Sequence, residues 1–268
     1  MAGDMNSRRV RVNAESVGKT FYQRAGKGQT TEVSALKDVS FSVNEKEIVG
    51  LVGPSGCGKS TILGLAAGLI FPSKGRILID GEKVIGPNEK IGFMLQKDLL
   101  LPWKTIIQNV ELGQKIRGVP REIRREKALG LLKKYGLAEF CLKYPSQLSG
   151  GMRQRVSLAR TLVIDPEILL LDEPFSALDY QTRLILQQDV YNILREQEKT
   201  VIFITHDIGE AITISDRVLV MSRRPGRIKM SIDIDMPHGL DLMKRRKSKE
   251  YGDYYQLIWD NLDIPLGS

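Results

Sequence analysis

The sequence predicts an α/β fold, and three observations carry that expectation. Glu47-Ile48-Val49-Gly50-Leu51-Val52 reads as a buried strand that runs straight into Gly53-Pro54-Ser55-Gly56-Cys57-Gly58-Lys59-Ser60. Ile168 to Leu171 is a second short apolar run, as expected for a central parallel strand covered on both faces, and it ends in Asp172-Glu173. Between the two, from Lys97 to about Leu148, the residue pattern turns helical.

Taken in order, residues 10 to 52 read as strands and turns. The glycine-rich run fits G-x-x-x-x-G-K-[ST], a loop whose backbone N–H groups converge on phosphate oxygens while the lysine neutralises charge and the hydroxyl meets Mg²⁺. Gly53, Gly56 and Gly58 permit the tight turn, and Ser60 to Leu69 reads as the helix whose N-terminus faces the phosphates. Gly75 to Gly81 is strand-like, and Ile91-Gly92-Phe93-Met94-Leu95 is a strand ending at Gln96. Thr105 and Gln108 form a capping box for a helix to about Arg117. Pro120 opens another through Ile123, Ala128, Leu131, Leu132 and Tyr135, which Gly136 stops. Ser149 is a good N-cap for a helix with Val156, Ala159, Leu162 and Val163 on its apolar face. Thr200 to Thr205 is strand-like, and Asp207 with Glu210 begins the next helix. After Gly226 the sequence reads as irregular until Tyr251 to Leu262, a short amphipathic helix.

These placements carry chemistry. An aspartate at a strand's carboxyl end, here Asp172, can hold Mg²⁺ through water, and Glu173 can reach a water lined up on a γ-phosphate. Gly150 and Gly151 leave backbone amides accessible behind Ser149, so that helix start is a second anion site. A nucleotide hydrolase is the expected class.

Leu148-Ser149-Gly150-Gly151-Met152-Arg153-Gln154-Arg155 resembles the signature sequence of ATP-binding cassette (ABC) transporter ATPases, with Met152 where glutamine is commoner. The resemblance covers residues 10–235 and implies a P-loop NTPase (RecA-like) core, an antiparallel β subdomain and an α-helical subdomain inserted at about 97–154, with 236–268 as a C-terminal extension. It implies ATP and Mg²⁺ as cofactors, with Gly53, Pro54, Ser55, Gly56, Cys57, Gly58, Lys59, Ser60 and Thr61 on the nucleotide. Ser60, Gln96 and Asp172 would hold the metal; Glu173, Gln96 and His206 would be catalytic, His206 as the switch at the γ-phosphate. In this family the signature segment, here Ser149, Gly150 and Gly151, binds the γ-phosphate held by a second cassette, so two nucleotides lie sandwiched between two copies. Ser176-Ala177-Leu178-Asp179 resembles the loop through which the copies touch. In this family an aromatic near the first strand stacks on adenine; here its spacing from the family's lysine-containing pattern favours Phe21, with Tyr22 as the alternative.

Composition agrees. With 268 residues, 42% of them apolar, the chain can bury a sizeable core, and one catalytic domain with an insertion is the natural organisation. No apolar run of about eighteen residues exists to span a membrane, and Met1 to Arg9 lacks an apolar signal core, so a cytoplasmic chain is expected. Cys57, inside the loop, and Cys141 are not expected to pair. The net charge of +8 gathers at Arg121-Arg124-Arg125-Lys127, Lys133-Lys134 and Lys244 to Lys249, read as solvated faces that could also favour an anionic inner membrane surface. Nucleic acid is not an expected partner, for lack of any supporting motif.

Leu99-Leu100-Leu101-Pro102-Trp103-Lys104-Thr105 presents apolar residues where ABC importers receive the coupling helix of their permease. With Phe175 to Asp179 and Ser222 to Ile228, it looks most like the nitrate, sulfonate and taurine importer branch, although Met236-Pro237-His238 departs from the tail usual there. The expected partners are a second cassette, membrane permease subunits and, indirectly, a substrate-binding protein, with the chain peripheral on the cytoplasmic face of the membrane. The alternative is a non-transport ABC ATPase of DNA repair or translation type, which would need a long coiled-coil insertion or a second cassette.

Overall fold

The computed structural model describes residues 9–25, 29–176, 179–236 and 241–263; Ala177, Leu178, Pro237 and His238, singled out above, lie outside them. Two sheets form the frame. Strands β1 (Val10–Ala25) and β2 (Gln29–Asn44) pair antiparallel, and β4 (Lys74–Ile79) with β5 (Glu82–Lys83) extends the β1 edge, in the order β2-β1-β4-β5. Val12 and Ala14 on β1, Val39, Phe41 and Val43 on β2, and Ile77 and Ile79 on β4 recur at every second position and are buried.

The second sheet contains β3 (Ile48–Val52), β6 (Ile91–Met94), β7 (Ile168–Asp172), β8 (Thr200–Ile204), β9 (Arg217–Met221) and β10 (Ile228–Asp233), in the order β10-β9-β3-β8-β7-β6. All its pairings are parallel except β10 with β9. Strands β3, β7 and β8 are buried at every residue, which explains their continuous apolar runs.

Helix α1 (Lys59–Ala66) lies between the two sheets, where Leu63 and Leu65 share one core with Val12, Val39, Leu51 and Ile202. On the other face of the parallel sheet, α2 (Ile106–Val110), α3 (Leu112–Ile116), α4 (Arg121–Lys134) and α5 (Gly150–Leu162) occupy the stretch between β6 and β7, with α6 (Tyr180–Glu196) following β7. Ile107, Leu132, Leu158, Leu194 and Phe203 form the second core there. A third, smaller core joins Val52, Val220 and Ile232 to Ile212 of α7 (Ile208–Ile214) and Ile258 of α9 (Lys249–Asn261).

Several expectations need correction. The stretch after Gly226 is not irregular: Ile228, Met230 and Ile232 alternate with polar residues along β10, and α8 (Leu242–Arg246) follows before α9. The helix behind the phosphate loop stops at Ala66 rather than Leu69, because Gly68 turns left-handed with φ 71° and packs so closely on Gly86 that a Cβ would meet its carbonyl oxygen at 2.0 Å. The basic run Lys244 to Lys249 is not wholly a solvated face: Arg245 is 0% exposed, donating to the Thr213 carbonyl and the Tyr191 hydroxyl. Leu100, in the segment expected to be exposed, is buried, whereas Leu99 and Trp103 are open.

Helix α9 is anchored chiefly through Ile258, which is 0% exposed. Ile258→Ala should therefore cost about 2–5 kcal/mol of local stability. Limited proteolysis should then cut within 249–263 well before the rest of the chain; a cleavage pattern equal to the parent's would show that other contacts hold α9.

Candidate nucleotide site

The parallel register sets the site. Leu51 on β3 and Asp172 on β7 each pair with Ile204 of β8, and Met94 on β6 pairs with Leu171 of β7, so four strands end at one level. Their next residues are the start of the phosphate loop, Glu173, Thr205-His206 and Leu95-Gln96. Clefts outside the carboxyl ends of parallel strands are where such sheets bind ligands.

The loop is braced from behind. Gly58 caps α1 at φ 109°, and a Cβ there would stand 2.6 Å from Leu36 Cδ2 and 3.1 Å from the Ala35 carbonyl oxygen. Gly56 also has positive φ, 72°. Gly226 donates to the Ala35 carbonyl and packs against Cys57, whose carbonyl oxygen a Cβ on Gly226 would meet at 2.0 Å. Arg224 donates through Nε to the Gly56 carbonyl at 3.1 Å. Lys59 is folded onto its own loop: its ammonium donates to the carbonyls of Gly53 at 2.7 Å and Pro54 at 3.0 Å and stands 3.9 Å from Cys57 Sγ. Cys57 is buried and free, and burial pushes its thiol up against the opposing pull of Lys59. Pro54, Ser55 and Thr61 complete the loop, with Ser55 and Gly56 open to solvent.

The Ser60 hydroxyl lies beside the Asp172 carboxylate. Burial pushes the Asp172 carboxyl up, a shift that Ser60 counters, Glu173 reinforces and Lys59 counters. Two hard oxygen donors at the foot of the phosphate loop suit Mg²⁺.

Glu173 follows with φ 48°, its N–H donating to the Ile204 carbonyl at 3.0 Å and its carbonyl accepting from the Ser176 hydroxyl at 3.1 Å. A left-handed glutamate stores roughly 1–3 kcal/mol of strain, which the sheet and the Ser176 turn must hold. One carboxylate oxygen, Oε2, accepts from Gln96 Nε2 at 2.8 Å and stands 3.5 Å from His206 Nδ1. The three residues expected to be catalytic thus meet at one atom. His206 is set by its flanks: the Thr205 hydroxyl accepts the Asp207 N–H at 3.0 Å, and the Asp207 side chain caps α7 at Glu210. Asp207 and Glu210 do not close a reciprocal capping box, because the buried Glu210 carboxylate accepts from Thr205 and Gln187 instead of reaching back to the cap.

Ser149, Gly150 and Gly151 are not brought to this loop. Ser149 Oγ accepts from Met152 N–H on its own helix, and among the described residues no hydrogen bond or ion pair joins the three to residues 53–61. Helix α5 instead grips the segment after β6: Gln154 donates to the Gln96 carbonyl, Arg153 pairs with Asp98, and Arg160 donates to the carbonyls of Asp98 and Leu99. Phe21 and Tyr22 stand on β1, 36% and 66% exposed, with the Lys19 ammonium 5.0 Å from the Phe21 ring centroid.

The C-terminal helix forms a wall that sequence reasoning did not anticipate. A cleft of about 450 Å³ has Gly53, Pro54, Ser55 and His206 on one side and Tyr255, Trp259 and Leu262 on the other. The stacked Tyr255–Trp259 pair is held in place where Asp263 accepts from the Arg223 N–H and from Lys229. The spacing of Tyr251, Tyr255 and Trp259 at every fourth residue marked an aromatic helix face, but nothing in it indicated where that face docks.

A cationic glycine loop opening a helix beside an oxygen-donor pair defines the class, a nucleotide-binding α/β protein. The family profile for ABC transporters matches residues 36–176. An uncharacterized ABC transporter ATP-binding protein of Methanocaldococcus jannaschii is 44% identical over 250 residues, 93% of this chain and 90% of that one. The taurine import ATP-binding protein of Rhizobium johnstonii is 50% identical over 203 residues, 76% of this chain and 78% of its own length. Among solved structures, a dimeric post-hydrolysis state of an ATP-binding cassette bound to ADP and Pi superposes with a TM-score of 0.73 at 34% identity, covering 84% of this chain and all of that one. The chain belongs to the ABC transporter family, as an ATP-binding subunit that hydrolyses ATP.

Because Gly58 has both a left-handed backbone and no room for a Cβ, Gly58→Ala should lower unfolding stability by about 1–3 kcal/mol and weaken ATP binding. Urea unfolding with a nucleotide titration checks this; parental stability and affinity would mean the loop is not braced as described.

Proposed function

We propose that the chain is the cytoplasmic motor of an importer, peripheral on the membrane, in which two copies enclose two ATP molecules and drive a membrane permease. The carrying observation is the convergence of Gln96 and His206 on Glu173 Oε2 beside the phosphate loop. Lys59 would leave the Gly53 and Pro54 carbonyls for the nucleotide phosphates, with Ser55, Gly56, Cys57, Gly58, Ser60 and Thr61 around them. Mg²⁺, which neutralises developing charge on phosphate oxygens, would be held by Ser60, Asp172 and Gln96. Glu173 would then accept a proton from the attacking water, and His206 would bridge toward the γ-phosphate. Phe21 would stack on adenine, with Tyr22 as the alternative.

Ser149, Gly150 and Gly151 would complete the site of the second copy, which fits the lack, among the described residues, of any hydrogen bond or ion pair from them to this chain's own loop. The cassette would span residues 10–235 with 97–154 as the helical subdomain and 236–268 as an extension. Trp103, 70% exposed, and Leu99, 53% exposed, would meet the permease. Since α5 holds Gln96, Asp98 and Leu99 together, a push at Trp103 would reach Gln96 through a few hydrogen-bonded residues. The taurine import relative favours a small anionic or zwitterionic solute such as taurine, a sulfonate or nitrate, selected by a binding protein and the permease.

Glu173→Gln should leave ATP binding nearly intact while lowering hydrolysis by about 10²-fold or more, since the amide cannot take the proton. Steady-state ATPase rates within twofold of the parent would remove Glu173 from the chemistry.

Trp103→Ala should keep the basal ATPase of the isolated cassette and its melting temperature, yet reduce recovery of a complex with co-expressed permease subunits. A large fall in melting temperature would instead make Trp103 a structural residue.

A further inference from the structure

The basic cluster at the start of α4 is not simply a solvated face. Arg124 and Arg125 lie one helical turn after Arg121 on one side of α4, and the three converge with Lys104 and Lys115 on a concavity of about 260 Å³. Five cations thus surround a single carboxylate, Glu111, whose side chain is only 10% exposed. Glu111 Oε1 accepts from Arg125 at 3.2 Å, and Oε2 stands 3.5 Å from Arg124, whose Nη1 also donates to the Val119 carbonyl. These two guanidinium groups are therefore held in fixed orientation rather than free in solvent.

The charge left over has no partner among the described residues. The side chains of Lys104, Lys115 and Arg121 make no ion pair or hydrogen bond among the described residues. On the same helix, Lys134 has found Glu196, and elsewhere Lys46 and Lys229 are likewise paired with Glu198 and Asp263. Like charges gathered around a concave wall repel one another and focus a positive potential on the space between them, which an anion relieves. The volume lies below the ≈ 300–1,000 Å³ usual for drug-sized pockets, so it suits a compact, highly charged group. Arginines in fixed fork geometry with mobile lysines beside them are the donor set that recognises phosphate.

We propose that this cleft is an anion site for a dianionic phosphate group, free or carried as a phosphomonoester, separate from the nucleotide loop, with Lys104, Lys115 and Arg121 supplying the free charge and Arg124 and Arg125 the oriented donors. The dianion can come from inorganic phosphate or from the headgroup of phosphatidic acid, and the two sources are separable. The test uses the full chain carrying Lys59→Ala, so that the phosphate loop does not contribute. Inorganic phosphate is titrated calorimetrically, and binding to phosphatidylcholine vesicles doped with phosphatidic acid is compared with vesicles doped equally with phosphatidylglycerol, which lacks a phosphomonoester.

Saturable binding in either arm, weakened about tenfold by Lys115→Gln/Arg121→Gln but within twofold of parent in the charge-matched Lys83→Gln/Lys133→Gln control, supports the site. Binding to free phosphate identifies a soluble ligand; binding only to phosphatidic acid vesicles identifies a headgroup. Both variants alter exposed residues, and equal melting temperatures exclude misfolding as the cause. No saturable binding in either arm, equal weakening by both double variants, or equal binding to phosphatidylglycerol would overturn the proposal in favour of diffuse charge.

Discussion

The site depends on one constraint, the parallel register of β3, β8 and β7. Ile48 pairs with Val201 and Ile168 with Thr200, which brings Leu51, Ile204 and Asp172 to the same height at the carboxyl edge. Side chains alternate along a strand, so a slip of one residue would turn Asp172 to the opposite face and separate it from Ser60. The hydrogen bond that holds Glu173 in its left-handed conformation, N–H to the Ile204 carbonyl, belongs to the same edge. Complete burial of the three strands fixes that register more strongly than any residue of the site could.

A second layer converts this edge into a nucleotide cradle. Residues Ala35–Lys37 of β2 and the turn around Gly226 press on the loop from opposite sides in sequence, nearly 200 positions apart, and both approaches need glycine. Polar residues of α5 reach across to Gln96 and the residues after it, so the element that carries the signature also positions the glutamine of its own chain's site. The same helix therefore links the exposed Trp103 segment, Gln96 and the proposed contact with a second copy.

Local chemistry was legible in the sequence, and distant contact was not. The phosphate loop, the Asp172-Glu173 pair, and the strands β3, β7 and β8 announce themselves because each depends on neighbours within a few residues. Thr105 with Gln108 forms the full capping box for the same reason. Gln96 and His206 carry too little local signal to be found by pattern, and needed the family resemblance. Strand β10 was missed although Ile228, Met230 and Ile232 alternate, because an edge strand with one polar face resembles a loop in composition. Arg245 sat in a basic run that reads as solvent-facing; only the Tyr191 ring and the Thr213 carbonyl, brought near by folding, explain its burial. The docking of Tyr255 and Trp259 beside Gly53 to Ser55 joins residues about 200 positions apart, beyond the reach of any local pattern.

In the proposed dimer a complete site takes Lys59 from one copy and Ser149 from another. Lys59→Ala removes charge neutralisation and Ser149→Arg obstructs the helix N-terminus, so each homodimer should be nearly inactive. In a mixture the heterodimer carries both lesions in one site and leaves the other whole. Mixing the two inactive proteins should restore measurable ATPase and ATP-dependent dimer closure, greatest near equal proportions. Absence of both at every ratio, with each variant folded and subunit exchange demonstrated, would contradict a site shared between chains.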